Sequence, residues 1–320
     1  MRQSTRRQRI ASLLPWLLLV VALGLMFSQI DPRRIGTLGL VWIPWARVGT
    51  LAIVMTAIIL TGGIDLSVGS MISLCSVVMG LLWHAGVPAN IAALAAIATG
   101  LCAGAFNGGL VAIGLSPLVA TLATMAAYAG LSMALASAQN ITDFAEASLG
   151  WSEIGGVASE YWLLAEVFLV ACLVVHYTTF GRWCYAIGDN PVAARFAAVP
   201  VRRTQWWLYT ASGLVSALLA VIYTMTDGAV IDAHRGIELK AIACVVVGGT
   251  LITGGRGSIP KTLLGLAVLA NMDIGLQNLG GFVTGKVRLI VIGLLLIVVA
   301  VSNQRLAIVD EHLERGDDEK

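Results

Sequence analysis

The chain has 320 residues, 58% of them apolar and only 12% charged, with a mean hydropathy of +0.86 and a formal net charge of +2. Soluble domains average about 45–50% apolar and about 25% charged, so a fold with water as its main solvent is excluded. Disordered, collagen-like and disulfide-rich secreted chains are excluded with it, and the near-balanced charge gives no reason to expect nucleic acid as a partner.

Arg2, Arg6, Arg7 and Arg9 precede Ile10–Ile30, a run without Asp, Glu, Lys or Arg. A spanning helix needs about 20 apolar residues, and no small-x-small cleavage site follows, so this run reads as an uncleaved first span. Val48–Ile64 is the second charge-free run. Leu66–Thr142 then continues for 77 residues without a charge, room for three spans and their turns. Later candidate spans, several of them short, are Tyr161–Tyr177, Thr204–Thr226, Ala241–Gly255, Thr262–Gly280 and Leu289–Ser302. In lipid only helices or a closed barrel satisfy every backbone group. A barrel would alternate apolar and polar residues, whereas these runs are apolar on all sides. The chain therefore reads as an all-α, polytopic transmembrane helical bundle of about ten spans.

Basic residues mark the cytoplasmic side. The four N-terminal arginines place the N-terminus there. Ten spans add Arg182, Arg195, Arg202, Arg203, Arg256, Lys261, Arg305, Arg315 and Lys320, and the C-terminus with them. Ala138–Glu160, with Asp143, Glu146, Glu153 and Glu160 and no Lys or Arg, falls outside. Arg33, Arg34 and Arg47 run against the pattern. The expected organisation is a cytoplasmic tail 1–9, a transmembrane domain 10–304 and a cytoplasmic tail 305–320.

Within that domain, Thr178–Gln205 carries five charges in 28 residues and punctuation at Gly181, Gly188-Asp189-Asn190-Pro191 and Pro200. Asp189-Asn190-Pro191 is a helix-start signal and Pro200 a stop, which predicts short helices on the cytoplasmic face, suited to docking a partner. Gly100, Gly104 and Gly108 recur every four residues and leave a bare stripe for a second helix. Cysteines 75, 102, 172, 184 and 244 fit no CxxC spacing and read as small apolar residues.

Catalytic signatures are weak. Gly280–Val287 nearly matches a phosphate-binding loop but ends on Val287, which has no hydroxyl for Mg²⁺. Ser258-Ile259-Pro260-Lys261 matches SxxK without the partner motifs of a serine acylase. The four histidines are scattered. This chain is expected to have no catalytic site, metal site or cofactor of its own.

Ionisable groups at membrane depth are costly and stand out. Asp65 is the only charge between Val48 and Thr142 and lies in Thr61–Ser70, TGGIDLSVGS. Gly62-Gly63 can end one helix, and Asp65 can accept from the free N–H groups of the next. A buried helix cap and a residue bordering a solute path are both open readings. Asp273 has no such break beside it; it could line a polar cavity, relay protons or face a neighbouring helix. Glu166 lies nearer a span end, where snorkelling suits it.

These residues resemble a known family. TGGIDLSVGS at 61–70 is similar to the most recognisable motif of ribose-type permeases, the membrane subunits of bacterial ABC sugar importers. Asn107-Gly108, Ser116–Leu122 (SPLVATL), Gly181–Arg195 (GRWCYAIGDNPVAAR) and Glu238–Gly257 (ELKAIACVVVGGTLITGGRG) follow in the family's order. The resemblance covers roughly residues 45–302. Lys261-Thr262 stands where the family has Gly-Thr, and Ala197-Ala198-Val199 where it has small-Gly-Ile. Asp273 looks like an acid found in some pentose-type members.

The resemblance implies a multi-pass inner-membrane subunit that moves a small neutral solute, such as a monosaccharide, into the cytoplasm. It implies a second permease subunit, cytoplasmic ABC ATPases that hydrolyse the ATP, and an extracytoplasmic solute-binding protein. Gly188, Asn190, Pro191, Ala193, Ala194 and Arg195 would form the ATPase-docking helix, and Asn107, Thr121, Asp65 and Asp273 would border the path. The rival reading is an ion-coupled secondary transporter using Asp65 and Asp273. Such transporters often carry inverted repeats, and no repeat is visible between the halves. A membrane-embedded enzyme would need a clustered catalytic set, which the chain lacks.

Overall fold

The computed structural model describes residues 38–137, 140–141, 153–231, 234 and 236–278, together with 287–288, 290–294, 297–298 and 301. The expected first span, the two tails and the phosphate-loop-like segment lie outside the described residues. Ten helices run through the rest: α1 Leu38–Leu60, α2 Val68–His84, α3 Ala89–Ala112, α4 Pro117–Leu135, α5 Ser159–Tyr177, α6 Thr179–Asp189, α7 Pro191–Phe196, α8 Val201–Asp227, α9 Ile237–Val247 and α10 Ile259–Asn278. A two-residue antiparallel pair, β1 Glu153–Ile154 and β2 Val157–Ala158, precedes α5 and is a small departure from an all-helical chain.

Among the described residues, six helices are long and apolar enough to cross a membrane: Val41–Leu60, Ala89–Ala112, Pro117–Leu135, Ser159–Tyr177, Val201–Asp227 and Ile259–Gln277. α1 and α8 form the centre, 83% and 78% buried over their spanning windows, while α4 and α5 lie at the periphery at 22% and 28%. Three helices occupy the 77-residue charge-free stretch, as expected, although α2 is short. The run Ala241–Gly255 is corrected: only an 11-residue helix, α9, forms there, and the chain turns at Gly248-Gly249.

The core is built on close helix crossings. The glycine stripe of α3 meets α8: a Cβ on Gly100 would lie 2.5 Å from the Ala217 Cβ, and one on Gly108 2.7 Å from the Trp206 carbonyl oxygen. Gly104 faces Tyr209 and Gly213, and Gly213 returns the approach from α8. In a bilayer the lipid is as apolar as the side chains, so tight van der Waals packing of this kind drives association.

Packing also reveals a relation that composition hides. α3 packs on α8 as α10 packs on α1; α2 packs on α8 as α9 packs on α1; α2 packs on α3 as α9 packs on α10. In each triplet a long central helix is followed by a non-helical stretch and a short helix. The first stretch is 61–67. The second lies between Asp227 and Ile237, where Ala229 pairs with Ile141 beside Gly80, and His234 reaches Gly69. The chain thus runs back along α2 before α9 starts. Discontinuous helices paired in this way are a hallmark of transporter folds.

Substituting Gly104→Val should drive a side chain into the Tyr209 carbonyl and Gly213, costing about 1–3 kcal/mol of stability. Gly109→Ala, with open space around it, should be tolerated. Thermal denaturation of the detergent-extracted variants distinguishes the two.

Candidate functional site

The break after α1 gathers polar groups in the interior of the bundle. Gly62 takes a φ of 75°, which an L side chain rarely adopts, and Thr61–Gly63 fold back onto the last turn of α1. The following residues are non-helical up to Ser67. Asp65 is fully buried. Its Oδ1 accepts from the Ser67 backbone N–H at 3.0 Å and from Ser67 Oγ at 2.7 Å, and its Oδ2 accepts from Ser212 Oγ at 2.8 Å. Ser212 lies midway along α8, so the carboxylate sits at the middle of a spanning helix.

The network continues into α3 and α4. Asn107 Nδ2 donates to Ser67 Oγ at 2.7 Å, and the Tyr128 hydroxyl lies 3.1 Å from Asn107 Oδ1 and 2.9 Å from the Ala103 carbonyl oxygen. The Ile64 carbonyl, left without a helical partner, faces the hydroxyls of Thr121 and Tyr209, each at 3.3 Å. Three of the four residues named as path candidates, Asp65, Asn107 and Thr121, therefore belong to one assembly. Its members come from the break, α3 and α4, and Ser212 and Tyr209 of α8 complete it. A buried carboxylate is tolerable only with such donors, and here each donor also fixes a helix to the break. Asp273 is elsewhere: on α10 its Oδ1 accepts from Arg288 Nη1 at 3.3 Å.

The charged segment 178–205 folds as two short helices, as its punctuation predicts. Thr178 caps α6 through the Phe180 N–H, and Asn190 Oδ1 caps α7 by accepting from the Val192 and Ala193 N–H groups at 2.9 and 3.0 Å. Pro191 occupies the first turn, where a missing N–H is harmless. Pro191, Ala193 and Arg195 are exposed. Gly188 and Ala194 face inward, Gly188 against the Leu60 carbonyl and Gly255, Ala194 against Ile187 and Val201. Two apolar residues not singled out from sequence, Val192 and Phe196, are 59% and 90% exposed on the same helix. Burial pushes the nearby Cys184 thiol up to about 12, as a small apolar packing residue requires.

This segment is joined directly to the break. The Gly255 N–H donates to the Leu60 carbonyl at 3.0 Å, Gly254 packs against Gly62 and Gly188, and the Tyr185 hydroxyl donates to the Gly257 carbonyl at 3.0 Å. The end of α1, the end of α6 and the turn 250–257 thus form a single junction.

A second polar cluster lies at the opposite end of the bundle, where α8 ends and α5 begins. Arg47, 8% exposed on α1, donates to Glu160 Oε1 at 2.7 Å and to Asp227 Oδ2 at 2.6 Å. It also donates to Thr226 Oγ1 at 3.0 Å, and its guanidinium lies 4.1 Å from the Tyr223 ring centroid. The His234 ring also packs on Tyr223, ring centroids 4.1 Å apart. Arg47 and Glu160 were each visible as charges in the sequence; no local signal joins residues 113 positions apart. Among the described residues no group of three or more His, Cys, Asp or Glu could hold a metal ion.

Comparison with known proteins gives this geometry its class. The model of the family described as branched-chain amino acid transport system / permease component matches residues 41–300, and the chain belongs to that family. Similar proteins include the ribose import permease protein of Escherichia coli strain K12, 38% identical over 238 residues that cover 72% of this chain and 74% of the relative. The autoinducer 2 import system permease protein of Yersinia enterocolitica is 34% identical over 272 residues, 80% of each chain, and that of Enterobacter sp. strain 638 is 31% identical over 305 residues, 89% and 90%. The resemblance to ribose-type permeases read from the motifs is borne out, and the chain is a multi-pass inner-membrane protein of the sugar-importer permease class.

Replacing Arg47 by Met should cost about 3–5 kcal/mol, the range for leaving a buried partner charge uncompensated. Arg47→Met combined with Glu160→Gln should recover much of the loss. Thermal midpoints of the extracted proteins would reveal the coupling; strictly additive losses would contradict it.

Proposed function

We propose that the chain is the membrane-spanning half of an ATP-driven importer for a small neutral solute, a monosaccharide or a close relative. It works with a second permease subunit, cytoplasmic ABC ATPases and an extracytoplasmic solute-binding protein. The observation that carries this reading is α7: a six-residue helix, capped at Asn190, that offers Phe196, Val192 and Arg195 outward and is clamped to the end of α1 through Gly188. A soluble partner with an apolar groove is the natural receiver for that surface. The resemblance to ribose and autoinducer 2 import permeases supports both the class of solute and the need for an ATPase in another chain.

In this proposal the chain has about ten spans between cytoplasmic tails 1–9 and 305–320, and α6 and α7 lie in the cytoplasm. Pro191, Ala193 and Arg195 touch the ATPase together with Val192 and Phe196, while Gly188, Asn190 and Ala194 hold the helix in place. Closure of the ATPases on ATP pushes α7. The push passes through α6 to the Leu60–Gly255 junction and from there to the break at 61–67. Asp65, Asn107 and Thr121 sit where that movement would reshape a path between helices, and Asp273 borders it further along. Conformational closure coupled to nucleotide binding is a rigid-body switch of the familiar kind.

An ion-coupled transporter needs carboxylates free to exchange a proton or Na⁺. Asp65 is occupied by three donors and Asp273 by Arg288, which favours the ATP-driven reading.

Arg195→Glu together with Pro191→Ala should abolish co-purification of the ATPase while membrane insertion is preserved; unchanged co-purification would sink the docking assignment. In whole cells, solute uptake should follow ATP and survive collapse of the proton gradient when ATP is maintained. Uptake that disappears with the gradient at constant ATP would return the ion-coupled reading.

A further inference from the structure

Among the described residues, α5 and α8 do not close on each other along their length. Two open-sided grooves, of about 610 and 390 Å³, lie between them and run into one another at Leu163, Glu166 and Leu218, which line both. α5 contributes Val167 and Val170, α8 contributes Leu214, and the floor is Val54 of α1. Towards the far end α3 forms a wall through Ala93 and Ile97. On α8 the lining runs from Trp207 to Met225, about 27 Å at a helical rise of about 1.5 Å per residue.

The packing relation of the two triplets says what covers this surface. α5, the spanning helix before α8, packs extensively on α1, touches α10 and touches α8 itself. Exchanging α1, α2 and α3 with α8, α9 and α10 turns this into a requirement. The element before α1 must pack on α8, touch α3 and touch α1. Those three helices are the walls and floor of the groove, with α5 as its remaining side.

We propose that the groove is the seat of the chain's own segment Ile10–Ile30. Its 21 charge-free residues match the length of the lining. Residues 31–37 can reach about 25 Å at about 3.3–3.6 Å each, enough to lead from the far end of the groove to Leu38, which begins α1 at that end. The relation depends on helix packing alone and not on the solute or the ATPase.

The test is site-specific photo-crosslinking of the full chain in membranes. p-Benzoylphenylalanine at Val170 or Leu214 should give intrachain adducts with peptides from 10–30, identified by mass spectrometry after digestion. The same probe at Leu122, on the exposed side of α4, should give none. A reciprocal probe at Leu19 should return peptides of α5 and α8, so a single variant that inserts poorly does not decide the matter. Adducts from the groove positions to lipid alone, to a second copy, to another protein or to a different part of the chain would overturn the proposal.

Discussion

Everything in the bundle depends on how one stretch of irregular backbone is satisfied away from water. After Leu60 the chain leaves the helix, and peptide groups in an apolar interior have no solvent to fall back on. Asp65 supplies acceptors for Ser67, Ser212 supplies a donor in return, and Thr121 and Tyr209 converge on the Ile64 carbonyl. Because those partners come from α4 and α8, satisfying the break also fixes where these helices stand. Polar side chains inside the spans are therefore largely engaged with the chain itself. If the chain carries a neutral solute, as proposed, an interior that keeps its polarity in bonds leaves few stray charges to trap the passenger.

The break has a counterpart ahead of α9, and the two lie against each other. Gly69 at the start of α2 has the His234 carbonyl oxygen and Glu238 Oε2 within 2.8 Å of the place a Cβ would take. Two short helices thus begin side by side, one from each triplet, flanked by the central α1 and α8. An arrangement of two similar units sharing a central contact can rock as two bodies, since the moving surfaces are helix faces and not a continuous core. The glycine crossing of α3 on α8 holds α8 to α2 and α3 by direct backbone contact, so each body takes its long central helix from the other triplet.

How much of this the amino-acid order reveals depends on range. The membrane bundle, the Gly62-Gly63 break, the stripe of α3 and the two short helices of 178–205 are local patterns, and they were legible; Asp65 bonds Ser67 and Ser212 instead of capping the first-turn N–H groups of α2. Gly213 is one glycine in α8 with no periodicity, so its pairing with the stripe was not. The α9 region read as a span because hydropathy averages composition and ignores where the chain turns; its 11 helical residues leave the rest of that run to Gly248-Gly249 and the loop. Arg47 looked like a violation of charge placement until Glu160 and Asp227 met it in space. The inverted relation of the triplets leaves no repeat in the residues because packing constrains size and polarity, not identity. In 178–205 sequence picked out the segment, but only geometry separates the inward Gly188 and Ala194 from the outward Phe196.

The two ends of the bundle are built from opposite materials, and that asymmetry bears on mechanism. At the α8–α5 end Arg47 joins three helices through charged hydrogen bonds from a poorly hydrated site, where separation leaves charges unpaired and is costly. At the α6–α7 end the joints are Gly62, Gly188, Gly254 and Gly255 and a few backbone hydrogen bonds, which can shift with little loss. In the proposed cycle a force applied at α7 would therefore meet the compliant end first. On the proposed reading, the Arg47 cluster at one end and the glycine joints at the other make the break at 61–67 the place where a push on α7 would be converted into a change of path.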